Sequence, residues 1–143
     1  MEDVVLHLRN DTAELERLAA ELARFGSAHG LSERDLFQVT LALDEVVTNV
    51  ISYAFDDAAE HEIAVRLRFA AGEIEVEVED DGRAFDPLAV PPVDAQLERP
   101  IEEREAGGLG LHLVRRTMDG LEYRREMGKN VLTMRKRVSR RMS

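Results

Sequence analysis

Apolar and polar residues alternate along Val4–Arg9 (VVLHLR), a period of two that predicts a β-strand. The period then lengthens. Asp11 or Thr12 is placed to cap a helix running through ELERLAAELARF to about Ala28, closed by the Gly26 and Gly30 punctuation. Ser32 opens a second helix, with Asp35 as a capping-box partner. Its apolar stripe of Leu36, Val39, Leu43, Val46, Val47, Val50 and Ala54 recurs at helical spacing, so it is predicted to reach about Phe55. Glu62–Phe69 and Glu73–Asp80 return to period two and flank a turn at Ala70–Gly72, the pattern of an antiparallel hairpin. Asp81–Ala106 has no sustained period and holds Pro87, Pro91, Pro92 and Pro100. A loop of that length in a compact domain is usually functional or mobile. A third helix is predicted from near Gly108 to about Asp119. Leu121–Glu126 and Val131–Lys136 then form a second hairpin around Gly128–Lys129.

This order predicts an α+β fold. It is a two-layer sandwich, with a mixed, mostly antiparallel sheet covered on one face by about three helices. It lacks the strand–helix alternation of a dinucleotide fold. At 143 residues the chain suffices for a single domain, 1–143. With no cysteine there is no disulfide framework, thiolate zinc site or cysteine nucleophile, and the composition suits a reducing cytosol. The acidic start MEDVVLHLRND does not resemble a signal peptide, and no apolar run nears the roughly 20 residues that span a bilayer, so a cytoplasmic location with no membrane partner is expected. The net charge of −10 argues against direct binding of nucleic acid. Any polyanionic ligand must therefore be shielded locally, by backbone N–H groups, a cation or a few arginines.

Three segments carry candidate chemistry. In DEVVTN, Glu45 and Asn49 share a face of the second helix, turned away from its apolar stripe. That face is either solvated or the wall of a cleft. In a cleft, the neutral oxygen of Asn49 suits Mg²⁺, and Glu45 is placed to accept a proton. In EVEVEDDGRAFDP a strand runs into Asp80-Asp81-Gly82, either an ordinary turn or a carboxylate positioned against a base edge. An ionised Asp only accepts hydrogen bonds, so it selects an exocyclic amine such as that of adenine. In AGGLGLHLVRR, Gly107, Gly108 and Gly110 precede a helix whose N-terminus favours phosphate, unless the glycines are only a hinge. The scattered histidines have no metal-ligand spacing.

In combination these segments resemble the Bergerat-fold ATPases, the superfamily of gyrase, heat-shock chaperones, histidine kinases and mismatch-repair proteins. Within it, LALDEVVTNVISYAF, VEVEDDGRAFDPL, GGLGLHLVRRTMDGLEYRRE and GKNVLTMRK are similar to the anti-sigma factor serine/threonine kinases of bacterial partner-switching systems. The resemblance spans about Val4–Val138. It implies ATP and Mg²⁺ as ligands, with Asn49 holding the metal and Glu45 as general base toward a serine or threonine hydroxyl. It implies that Asp80 reads the adenine amine, that Gly82 lets the base approach, and that Gly107, Gly108 and Gly110 line the phosphates under a lid at 86–106. Thr133 matches a position that supports the adenine-binding Asp. Arg115 and Arg116 are candidates for phosphate contacts, or else helix-surface charges. The implied partners are a sigma factor and an anti-anti-sigma antagonist, and a homodimer is compatible. An alternative is a nucleotide-dependent partner-binding module without kinase turnover. The sequence departs from the family's D-x-G-x-G pattern at Ala84, where a second glycine is usual.

Overall fold

The structure, a computed structural model, describes residues 3–55, 59–84, 86 and 114–138. Its elements are β1 (Asp3–Arg9), α1 (Glu14–Ala28), α2 (Glu33–Tyr53), β2 (Glu62–Ala70), β3 (Glu73–Asp80), β4 (Gly120–Glu126) and β5 (Lys129–Arg137). Residues 114–117 are also helical. The strands form one sheet in the order β1-β2-β3-β5-β4. Each ladder between them is antiparallel, so the parallel component expected of a mixed sheet is absent among the described strands. β5 lies between β3 and β4, which places the start of β5 beside the end of β3.

Local chemistry explains most boundaries. Ser32 caps α2, its hydroxyl accepting from the Asp35 N–H at 3.1 Å. α1 begins differently from expectation. Its N-cap is Ala13, and neither Asp11 nor Thr12 caps it with a side chain. Asp11 instead forms the preceding turn, its carboxylate accepting from Ala13 N–H at 2.9 Å and its carbonyl from Glu14 N–H at 2.9 Å. Both hairpins turn on two residues of positive φ, Ala71-Gly72 (53° and 76°) and Met127-Gly128 (52° and 78°). This primed turn matches the right-handed twist of the strands. The second turn therefore lies one residue earlier than the sequence suggested, and that fixes which β5 side chains face inward.

One sheet face is the core. Leu8, Ile63, Val65, Leu67, Val76 and Met134 are buried there with Leu22 and Phe25 of α1 and Leu43 and Val47 of α2. The other face carries a ladder of ion pairs such as Arg135–Glu75 (3.1 Å) and Lys129–Glu79 (3.2 Å), which keep it wet and contribute little each. Lys136, on the inner face, is buried and donates to the Thr117 carbonyl at 2.9 Å, tying residues 114–117 to the sheet.

Candidate functional site

Asn49 is on α2, one turn after Glu45. It is 5% exposed, although asparagine usually lies at the surface. Its amide nitrogen donates to Glu45 Oε1 at 3.3 Å, and its oxygen takes no donor among the described residues. A buried carbonyl oxygen without a donor is costly unless a ligand completes it, and a hard cation is such a ligand. The residues present thus fit Mg²⁺. Among the described residues no group of three or more acidic or histidine side chains could hold a metal, so most other ligands must come from phosphate oxygens and water.

Asp80 ends β3 and is 4% exposed. Its Oδ1 accepts from the Gly82 N–H at 2.9 Å and from Asn130 Nδ2 at 3.0 Å. Among the described residues Oδ2 takes no donor. Burial raises the Asp80 pKa, and Asp81 adds to this, while the bonds from Asn130 and Gly82 and the charge of Arg125 oppose it. Burial also raises the Glu45 pKa, against the hydrogen bond from Asn49 and with help from Asp44. A carboxylate raised this way is a stronger base while ionised.

One cavity joins the two buried side chains. Val46, Asn49 and Val50 of α2 line it, with Val78 and Asp80 of β3, Tyr123 of β4, and Asn130 and Leu132 of β5. Aliphatic walls with a few converging polar atoms suit a flat heterocycle whose edge must be read.

The glycine at position 82 makes a contact beyond the one expected. A Cβ there would lie 2.3 Å from the Ala54 carbonyl oxygen. The loop presses onto the end of α2, where Arg83 N–H donates to the Ala54 carbonyl (2.8 Å) and Arg83 Nε to the Tyr53 carbonyl (2.7 Å). Gly82 is thus required by the helix that carries Asn49, and it fixes Asp80 relative to that helix. Ala84 is exposed and is not among the described non-glycine residues of positive φ, Ala71 and Met127, so alanine is unstrained there.

Thr133 does not support Asp80. The ladder places it opposite Glu77, on the outer face, while Asp80 is paired with Asn130 on the inner face. An odd separation along a strand reverses the face, and Thr133 is three residues from Asn130. Asn130 is the residue that sequence reasoning missed, and Tyr123 and Arg125 come with it. Asn130 Oδ1 accepts from the Tyr123 hydroxyl and from Arg125 Nη1 (3.1 Å), and its Nδ2 donates to Asp80 and to the Arg83 carbonyl (2.8 Å). Arg125 Nη1 also donates to the Gly82 carbonyl at 2.8 Å. Strand parity counted from the β4–β5 turn was the signal that would have found Asn130. Arg115 is half-buried and Arg116 exposed on the helical segment, and neither lines the cavity. Gly107, Gly108, Gly110 and the loop 87–106 lie outside the described residues.

A helix asparagine and a strand-end aspartate close on one cavity beneath an antiparallel sheet. Residues 8–136 match the histidine kinase-like ATPase domain family, and the chain belongs to it. It is similar to the serine/threonine-protein kinase BtrW of Bordetella bronchiseptica, 36% identical over 103 residues that cover 72% of this chain and 71% of that protein. It is likewise similar to the serine-protein kinase RsbW of Halalkalibacterium halodurans, 31% identical over 115 residues, 78% of this chain and 68% of that one. Among solved structures, the RsbU and RsbW domains of a Mycobacterium tuberculosis protein share the fold (TM-score 0.70, 17% identity), covering 99% of this chain and about a third (34%) of that one. The SiaB–SiaC complex of Pseudomonas aeruginosa shares it at a TM-score of 0.56 and 18% identity, over 92% of this chain and 88% of that one. No described helix is long and apolar enough to cross a membrane.

Proposed function

We propose that the cleft binds Mg²⁺–ATP and that the protein transfers the γ-phosphoryl group to a serine or threonine hydroxyl of an anti-anti-sigma antagonist, while also binding a sigma factor in the cytoplasm. The observation that carries this reading is that, among the described residues, the oxygen of buried Asn49 and Oδ2 of Asp80 take no donor while both side chains line the same cavity. The kinase names of the relatives BtrW and RsbW support the reaction class.

Each residue then has a defined task. Asp80 Oδ2 accepts from the amine of the base. Val46, Val50, Val78 and Leu132 hold the ring and keep water from it. Asn49 would hold the cation through its oxygen, and the bond from its nitrogen to Glu45 fixes which way the amide points. Bound Mg²⁺ would supply positive charge against the phosphates, which an acidic chain does not provide in bulk. Glu45, next to Asn49 and less buried, takes the proton of the incoming hydroxyl. Gly107, Gly108 and Gly110 would supply N–H groups to the phosphates.

The test is transfer of label. Purified protein with γ-labelled ATP, Mg²⁺ and candidate antagonist proteins should place stable label on a serine or threonine of one of them. Tight ATP binding without label on any antagonist would favour a partner-binding module instead.

A further inference from the structure

Asp80 meets a ligand with one oxygen, and the groups behind it decide what that atom can recognise. Arg125 is a cation and can only donate. Its Nη1 points at Asn130 Oδ1 (3.1 Å), so the oxygen of that amide must face Arg125. Asn130 Nδ2 then faces two groups that accept, the Asp80 carboxylate (3.0 Å) and the Arg83 carbonyl (2.8 Å). The reverse amide orientation would set a donor against the guanidinium and an oxygen against two oxygens, so the direction is fixed by chemistry and not by convention. The Gly82 N–H, itself held by Arg125 through the Gly82 carbonyl (2.8 Å), is a second donor to Asp80 Oδ1 (2.9 Å). The chain of bonds therefore runs one way, from Arg125 through Asn130 to Asp80. It fills Oδ1 and leaves Oδ2 without a donor among the described residues, on a side chain that lines the cavity.

We propose that Arg125 and Asn130 are specificity-determining positioning residues, which restrict the site to purine nucleotides bearing a hydrogen-bond donor at C6 by fixing the polarity of the Asp80 side chain. This rests on the nucleotide reading above. It goes beyond that reading by assigning selectivity to Arg125, which does not line the cavity, and to Asn130, which acts on the Asp80 side chain from the cavity wall. The fixed polarity also has an unusual consequence. In Asp80→Asn the two donors behind the side chain still demand an oxygen at the Oδ1 position. The new NH₂ must then point into the cavity. The atom that reads the base changes from acceptor to donor, and the site should come to favour a 6-oxo purine.

Binding of ATP and of inosine triphosphate, each with Mg²⁺, measured by calorimetry on the full chain, tests this. The wild type should bind ATP at least about tenfold more tightly, the scale of one mispaired buried polar group. Asp80→Asn should reverse the order, with inosine triphosphate bound at least about fivefold more tightly than ATP. Asn130→Ala and Arg125→Ala should pull the wild-type ratio toward unity by weakening ATP binding at least about fivefold more than inosine triphosphate binding. These two variants decide the matter if Asp80→Asn does not fold. Wild-type preference for ATP combined with equal loss of both nucleotides in the folded variants would overturn the inference alone, because a merely structural role lowers both together. A wild type that binds neither nucleotide would remove the ATP reading and this inference with it.

Discussion

Glu45→Gln, which keeps an oxygen to accept the Asn49 amide N–H, is expected to bind Mg²⁺–ATP within about twofold of the wild type and to transfer phosphate at least ~100-fold more slowly, the lower range for loss of a positioned general base. The two effects separate because Glu45 does not line the cavity that Asn49 and Asp80 share, yet accepts the Asn49 amide N–H from one helical turn away. In the wild type, transfer should fall on acidification through a Glu45 pKa lying above the ordinary carboxylate range, since only the ionised form accepts a proton. Glu45→Gln should lose this pH dependence and retain the bond to Asn49. Single-turnover transfer of labelled phosphate, read beside a nucleotide titration, measures both quantities. Full transfer activity in Glu45→Gln would remove the assigned base.

The second large effect is expected at Gly82. Its backbone is at a helix–loop contact so close that a Cβ would stand 2.3 Å from the Ala54 oxygen and 2.8 Å from the Ala54 carbonyl carbon. Neither atom can move alone, because the Ala54 carbonyl also accepts the Arg83 N–H. Gly82→Ala should therefore lower stability by about 3 kcal/mol, the upper end of overpacking costs. The loop must shift away from α2, and Asp80 with it, so ATP affinity should fall by at least about tenfold. Gly72→Ala is the control. It has open space around it but a φ of +76°, so it should cost about 1 kcal/mol in backbone strain and leave ATP binding alone. Urea melts and calorimetry on both variants distinguish the two cases. Gly82→Ala with wild-type stability would mean that the loop does not press on α2 as described.

Much of this site was legible because its parts are local. The stripe from Leu36 to Ala54 defined α2, and the spacing of four put Glu45 beside Asn49, although Asn49 lines the cavity with Val46 and Val50 of that stripe instead of facing away from it; the alternation in Glu73–Asp80 put Asp80 at a strand end. The Ser32 cap was visible for the same reason, since donor and acceptor are within one turn. What was missed depends on contacts between distant segments. Thr133 was named and Asn130 was missed because resemblance gave a strand but not its register, and register came from a turn at Met127-Gly128. The contact of Gly82 with α2 was missed because nothing near it in sequence reveals the Ala54 carbonyl across the loop. The start of α1 shows a third kind of failure. Both Asp11 and Thr12 are good cap residues, yet Asp11 is used in the turn before the helix.

The measurement that bears most directly on the whole account is titration of the wild type and Asn49→Ala with ATP, with and without Mg²⁺. The account predicts that wild-type affinity rises at least about tenfold when Mg²⁺ is added, and that Asn49→Ala abolishes the rise while remaining folded. Affinity that is indifferent to Mg²⁺ in the wild type, or equally responsive to it in Asn49→Ala, would contradict the claim that this buried asparagine faces a metal-bound nucleotide.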